Sequence, residues 1–292
     1  MANWHEEIWQ DSSRFGLRVR EVLFAQQSRF QKIEIFDTVA WGRVLTLDGT
    51  FMTSEADEFF YHEMLVHPVL TTAPSVRRVL VIGGGDGGTV REVLRHCEVE
   101  SCLLVELDAL VVEACRVHLP TLGTAWKDPR LKLHFGDGAD FVERSHEPPF
   151  DVILVDGCDP EGPAARLFEP AFFAACRQRL SPTGVLGIQS ESPFLMPATY
   201  AAIHRSVSTY FECVHPLFGP APLYAAGPWS YMHCSRSVDP LKMDPVRAAR
   251  LAGHTRYWSA AVHHGAFAVP AYAAIASAPH ASAPERQGVT SS

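Results

Sequence analysis

The sequence predicts an α/β protein in two parts: a small N-terminal domain of antiparallel β-hairpins (1–72) and a larger doubly wound parallel sheet (73–275). Three observations predict it. The apolar run 78–82 passes straight into a glycine-rich turn and then a helical pattern, β-like and α-like runs keep alternating down to residue 210, and the segment before Pro74 mixes short β-prone runs with turn dipeptides.

In the N-terminal part, the stretch 28–54 alternates Ile33 with Ile35, and Val44 to Leu47 leads directly into Asp48-Gly49, a strong hairpin signal. Asp37-Thr38 supplies a second turn. The stretch 57–72, DEFFYHEMLVHPVLTT, is helix-like and ends near Pro74, because a proline disfavours helical backbone in the residue before it. Beyond Pro74 come a buried strand at 78–82, a helix at 89–96, a strand at 102–105 and a helix at 109–118. Apolar runs at 131–135, 151–155 and 184–189 supply three more strands, with helical pattern over 169–180 and 198–210. From about Phe211 the helices are expected to give way to a β-like stretch around 229–235, an antiparallel edge of the sheet. The tail from Ala276 to Ser292, rich in Ala, Pro and Ser, is expected to be disordered.

Charge and composition exclude several classes of function. The 292 residues carry 25 basic and 33 acidic side chains, a net of −8, and 47% are hydrophobic. That is ample for a buried core, and it argues against nucleic acid or an anionic membrane surface, both of which need clustered Lys and Arg. No apolar run approaches the ~18 residues of a membrane span. The seven cysteines are scattered without a C-x-x-C pair, so neither a zinc site nor a disulfide framework is suggested, and no His/Cys/Asp cluster has metal spacing. The acidic N-terminus, with no apolar stretch after it, is unlike a secretory signal, and the expected compartment is cytoplasmic.

The chemistry is concentrated at strand ends. Gly83, Gly85 and Gly88, in the run Gly83-Gly84-Gly85-Asp86-Gly87-Gly88, satisfy G-x-G-x-x-G in the strand-to-helix context the motif requires, where backbone can approach a ligand closely. About 20 residues on, Glu106 closes the second strand, where such folds place an acid on the ribose hydroxyls. The ligand implied is a nucleoside, and NAD, a flavin dinucleotide and S-adenosylmethionine relatives all suit it. Asp86 narrows the choice. A carboxylate inside the turn, where a dinucleotide enzyme would seat pyrophosphate, repels phosphate and attracts an amine, unless it merely caps the next helix. Asp137-Gly138 ends the third strand, where an acid can accept from an adenine amino group. The fourth strand ends in two more acids, Asp156 and Asp159. Ligands in open α/β sheets bind outside the carboxyl ends of the strands, so these five acids should share one crevice, where mutual repulsion suits one of them to act as a base.

Taken together, Asp57 to Met64, Gly83 to Gly87, Val105 to Asp108, Asp137-Gly138, Asp156 to Pro160 and Tyr224 to Tyr231 resemble the polyamine aminopropyltransferases, the spermidine synthase family, over nearly the whole chain from Trp4 to about Pro270. The fold this implies is a Rossmann-like sheet of the S-adenosylmethionine-methyltransferase type. The resemblance implies a donor, decarboxylated S-adenosylmethionine, used as a co-substrate with no tightly bound cofactor or metal, and an amine acceptor such as putrescine. By the same resemblance Gln31, His62, Asp86, Glu106, Asp137 and Gly138 hold the donor, with Gly83, Gly84 and Gly85 forming the turn beneath it. Asp156 is the general base, and Tyr61, Asp156, Asp159 and Tyr224 line the acceptor channel. A homodimer or homotetramer, built through the N-terminal β unit, is implied as well. Two positions depart from the family pattern. Arg166 is expected at the mouth of the amine channel, where its charge either repels a diamine or points to solvent, and Leu223 stands where a small hydroxylated residue is common. The acceptor therefore stays open among putrescine, cadaverine, agmatine, diaminopropane and spermidine. Two other functions compete, a small-molecule methyltransferase on the same fold and a non-catalytic polyamine- or nucleoside-binding protein.

Overall fold

A computed structural model describes residues 3–9, 11–158, 162–224 and 227–277. The chain opens with a five-stranded antiparallel sheet, β1 (Asn3–Trp9), β2 (Ser13–Gln27), β3 (Lys32–Thr38), β4 (Arg43–Leu47) and β5 (Thr50–Ser54), in sequential order. The hairpin expected at Asp48-Gly49 joins β4 to β5, with both residues at positive φ, as a tight turn between twisted strands requires. Strands β1 and β2 were not expected. Their alternation is weak, since only Leu17 and Val19 of β2 are buried, and Val22 on it is 47% exposed.

Helix α1 (Glu58–Leu70) follows, and then the βα alternation: β6 (Arg78–Gly83), α2 (Gly88–Leu94), β7 (Ser101–Glu106), α3 (Ala109–His118), β8 (Leu131–Phe135), α4 (Gly138–Arg144) and β9 (Phe150–Asp156). The rest is α5 (Pro170–Arg179), β10 (Leu180–Gln189), α6 (Pro197–Ser208), β11 (Cys213–Pro220), β12 (Pro228–Ser235), α7 (Pro245–Leu251), α8 (Ala260–Ala266) and α9 (Ala271–Ser277). The large sheet has the order β11-β12-β10-β9-β6-β7-β8, parallel from β10 through β8. The two additions at its end are antiparallel.

One expectation is corrected. The stretch 229–235 is strand β12, but it lies inside the sheet and β11 is the edge. The reason is local: β11 contains Pro216 and Pro220, which weaken a strand pattern in sequence and are tolerated at an edge. As expected, strands follow Phe211; the short helices α7 to α9 come after β12 and were not expected, being too brief for a helical period to stand out. Of the tail expected to be disordered, residues 278–292 lie outside the described residues.

Strands β6 and β9 are apolar on both faces, as a sheet covered by helices on each side demands. Val79, Val81, Val152 and Leu154 pack with Val66, Val69, Val90 and Val93 of α1 and α2, while Leu80, Ile82, Ile153 and Val155 pack with Phe172, Phe173, Tyr200 and Ile203 of α5 and α6. The N-terminal sheet closes on this body through Ile33, Ile35 and Leu45 against Val111, Ala114 and Cys115 of α3. The strand order reverses between β6 and β9, and in that register Gly83 stands opposite Asp156. A ligand crevice is expected at this switch point. Among the described residues no helix is long and apolar enough to cross a membrane, and no group of three or more His, Cys, Asp or Glu is placed to hold a metal.

Candidate active site

A single cavity opens at the switch point, and Gln31, Tyr61, His62, Gly83, Gly84, Gly85, Asp86, Glu106, Asp137, Gly138, Asp156 and Tyr224 all line it. Asp159 lies outside the described residues.

The glycine turn shapes the floor. Gly83 and Gly84 both have φ of +77°, and there is no room for a side chain at either: a Cβ on Gly83 would fall on the Asp156 carbonyl, and one on Gly84 would come within 2.5 Å of Asp156 Oδ2. The turn and the end of β9 at Asp156 are thus packed backbone to backbone. Gly88 is equally committed, since a Cβ there would enter the His62 ring.

Asp86 Oδ1 accepts from the Gly88 amide at 2.6 Å, a capping bond at the start of α2, while Oδ2 faces His62 Nε2 at 3.4 Å. One oxygen of Asp86 thus holds the first amide of α2 while the other stays turned to His62. His62 is 2% exposed and gives Nδ1 to Glu58 at 2.6 Å. Burial works against a charged imidazole, but Asp86 first and Glu58 next outweigh it, so the ring is held well above the usual histidine range. Burial likewise opposes ionisation of Asp86, and the charge and hydrogen bond of His62 more than offset it, holding the carboxyl below its ordinary value.

Asp156 accepts from Thr89 Oγ1 at 2.6 Å and from the Tyr61 hydroxyl. Burial pushes its carboxyl up; the cation at His62 pulls it down, and the anion at Asp86 pushes it up again. The net is a carboxylate more basic than usual. Glu106 takes the Asp108 amide at 2.9 Å, and burial pushes its carboxyl up to about 7. Asp137 uses Oδ1 to cap α4, from Ala139 N at 2.8 Å and Asp140 N at 3.0 Å, and Oδ2 to receive Arg166 at 2.9 Å.

That last bond fixes Arg166: its guanidinium lies on Asp137 and Asp140 beside α4, at the border of the same cavity. The connection from β9 to α5 folds back toward α4, which local sequence does not encode. Arg166 is 41% exposed, so its pairs are solvent-screened and worth at most about 1 kcal/mol. Arg166→Ala should therefore leave the order of preference among diamines unchanged and shift the donor KM by no more than about fivefold, as initial rates over both substrates would show. Leu223, the other departure, is 2% exposed and gives its amide to Asp57 Oδ2 at 2.8 Å, so it is packed wall rather than a polar contact.

Other residues at or beside the cavity were not among the expected site residues. Glu58 lines the cavity four residues before His62 on α1, and that spacing alone marks the pair. Gln189, 2% exposed at the end of β10, donates to the Gly157 carbonyl at 3.2 Å and to Glu191 Oε1 at 2.9 Å, bracing the segment after Asp156. Trp229 and Tyr231 join Tyr61 and Tyr224 in an aromatic wall, with ring centroids 4.6 Å apart for Tyr224 and Trp229 and 5.6 Å for Tyr61 and Tyr231. Glu7 enters from β1 and accepts from the Phe51 amide at 2.9 Å, next to Met52, whose carbonyl receives the Tyr224 hydroxyl at 2.8 Å. A row of contacts therefore leads from Asp156 through Tyr61 and Tyr224 to the N-terminal sheet and Glu7. No local signal could have found Glu7, because its position depends on the pairing of a sheet.

Comparison with known proteins shows the family. Residues 58–243 match the spermine/spermidine synthase domain, and residues 3–55 match the spermidine synthase tetramerisation domain. The chain belongs to the spermidine synthase family. Among its relatives, a polyamine aminopropyltransferase of Prochlorococcus marinus is 44% identical over 275 residues, covering 92% of this chain and 94% of the relative. Another, of Halorhodospira halophila, is 42% identical over 270 residues, covering 91% and 97%. Two solved structures are similar throughout: a spermidine synthase in complex with the transition-state analogue AdoDATO (TM-score 0.91, 36% identity, 94% of each chain) and the Thermotoga maritima spermidine synthase (TM-score 0.89, 36% identity, 94% of each chain). Within this family member Gln31, His62, Asp86, Glu106, Asp137 and Gly138, the residues expected on the donor side, border one crevice.

Proposed function

We propose that the enzyme transfers the aminopropyl group of decarboxylated S-adenosylmethionine to a diamine, putrescine, releasing spermidine and 5′-methylthioadenosine. The observation that carries this is a cavity that sets Asp86 and Asp156 beside one wall of aromatic rings, a surface built for two organic cations. The complex of a 36% identical spermidine synthase with AdoDATO supports the donor.

In this reading Glu106 takes the ribose hydroxyls, Asp137 with Gly138 borders the adenine, and Gln31 closes the nucleoside side from the N-terminal sheet. Asp86 takes the donor's terminal ammonium. The acceptor runs along Tyr61, Tyr224 and Trp229, its near nitrogen at Asp156 and its far ammonium toward Glu7. Asp156 removes a proton from the near ammonium, and the freed lone pair attacks the aminopropyl carbon in line with the sulfonium. The C–N bond forms as the C–S bond breaks, and its electron pair leaves on sulfur as a neutral thioether. Leaving-group departure needs no assistance, so the chain's task is to orient and to deprotonate.

Incubation with each sulfonium donor and a panel of diamines tests the proposal. Methylthioadenosine from the decarboxylated donor, fastest with putrescine, is expected; S-adenosylhomocysteine from the methyl donor would establish the methyltransferase reading instead, and binding without any product the non-catalytic one.

Glu106 gives the donor site a pH dependence. Its carboxyl sits at about 7 in the empty enzyme, and only the ionised form accepts from both ribose hydroxyls. Donor affinity is therefore full above about pH 7 and is lost as pH falls below it, roughly tenfold per unit, with close to one proton released on binding near pH 6. Calorimetry in buffers of different ionisation enthalpy measures this release; none at pH 6 would remove Glu106 from the ribose.

Oligomer formation through the N-terminal sheet belongs to the same proposal. Trp4, Ile8 and Val22 leave large apolar side chains 54%, 55% and 47% exposed on β1 and β2, within the residues that match the tetramerisation domain. Light scattering of the purified enzyme should give a tetramer's mass, and a monomer's would refute it.

A further inference from the structure

At the donor side of the cavity, reaching from its wall at Glu58 into the core, lies a set of buried charges to which the proposed reaction gives no role. Glu58, in the first turn of α1, is 7% exposed, and its Oε2 takes two donors at once, His62 Nδ1 at 2.6 Å and Arg91 Nη2 at 2.7 Å. Arg91, on α2, is fixed in turn by Glu92, Nε to Oε1 at 2.6 Å, and by the Leu122 carbonyl at 3.2 Å. The far nitrogen of His62 faces Asp86, and Gly88 closes against the ring, so the imidazole has no room to swing. An imidazole with a carboxylate at each nitrogen is satisfied on both sides only when both nitrogens carry protons.

We infer that Glu58, backed by Arg91, is a positioning residue that fixes His62 as an imidazolium aimed at Asp86 and so keeps the Asp86 carboxylate ionised and oriented for the donor's terminal ammonium. This rests on the donor placement proposed above. The charges around His62 show why the device is needed. Glu58 and Asp57 face it from the start of α1, Asp86 from the turn after β6 and Asp156 from β9, with the cation of Arg91 beside them on α2. Carboxylates crowded in a buried site drive protons onto one another. A cation among them allows Asp86 to stay ionised for the donor while Asp156 ionises as the base. Glu58 acts on the substrate through His62 alone. Loss of its charge should let the imidazolium surrender a proton within the working pH range, and Asp86 would then lose both its partner and its aim.

The test reads His62 and the donor together. In the wild-type enzyme at about pH 8, where a free imidazole is neutral, ¹⁵N NMR should show both His62 nitrogens protonated. In Glu58→Gln, His62 should titrate below that pH. Donor Kd, measured by calorimetry without acceptor, should then rise ~10-fold at about pH 8.5 and less than ~3-fold at about pH 6, because one unit of lost pKa is a tenfold change. A neutral His62 in the wild-type enzyme at about pH 8 overturns the inference whether or not the variant folds. So does a Glu58→Gln enzyme with wild-type Kd at both pH values, or one weakened equally at both, as a merely structural role would give. Failure of the wild-type enzyme to bind the decarboxylated donor at all would show, before any variant is made, that the donor placement is wrong.

Discussion

Asp156→Asn should lower kcat by ~10²-fold or more while leaving donor affinity within a few-fold of wild type. The asparagine keeps the size of the side chain and an oxygen for the Thr89 hydroxyl, so the floor packed against Gly83 and Gly84 stays in place. What it cannot do is take a proton. The acceptor nitrogen, an ammonium with an ordinary pKa near 10, would then have to reach the site already deprotonated, a small fraction of the population near neutrality. Two signatures follow. The residual rate should climb about tenfold per pH unit as free amine accumulates, and the acid limb set by Asp156 should vanish. In the wild-type enzyme that limb has a definite sign: burial lifts the carboxyl above the usual carboxylate range, the base must be ionised, and activity is lost as pH falls through the raised value. Single-turnover rates across pH with preloaded donor separate chemistry from binding. A rate equal to wild type would mean that another group takes the proton.

How much of this was legible in sequence depends on whether a feature is local. The strands β6 and β9 announce themselves because a parallel strand covered on both faces is one unbroken apolar run, as Val152 to Val155 is, and the strand-end rule then delivers Glu106 and Asp156 to the crevice without any structure. The glycine turn is legible for the same reason: the need for positive φ at Gly83 and Gly84 is written in the residue type. Other positions depend on contacts far apart in the chain. Glu7 reaches the cavity only because β1 pairs with β2 across the sheet, and Arg166 meets Asp137 only because the segment after β9 turns back over α4. The Asp137 carboxylate illustrates the boundary between the two cases. Its identity as an acid at a strand end could be read, but the helix cap it makes and the guanidinium it receives belong to the folded state.

Asp86→Asn should weaken the decarboxylated donor by the ~1 to 3 kcal/mol of a charge-assisted hydrogen bond, roughly 5- to 150-fold in Kd, with kcat at saturating donor little changed. The amide can still accept from Gly88, so the start of α2 survives. The ligand loses an anion opposite its ammonium. The methyl donor responds in the opposite direction, because its own carboxylate is repelled by Asp86 and that repulsion disappears, so the affinity ratio of the two donors should narrow from both ends. A second consequence reaches the base. With Glu58 still holding His62 as a cation, loss of the Asp86 charge lets Asp156 ionise more readily, so the acid limb of kcat should move to lower pH. The two effects have one cause and can be measured on one variant, by competition binding of the two donors and by a pH profile at saturation. An unchanged donor ratio would show that the discrimination lies elsewhere. An acid limb moving upward would show that the two carboxylates are not coupled through the shared cavity as their positions around His62 require.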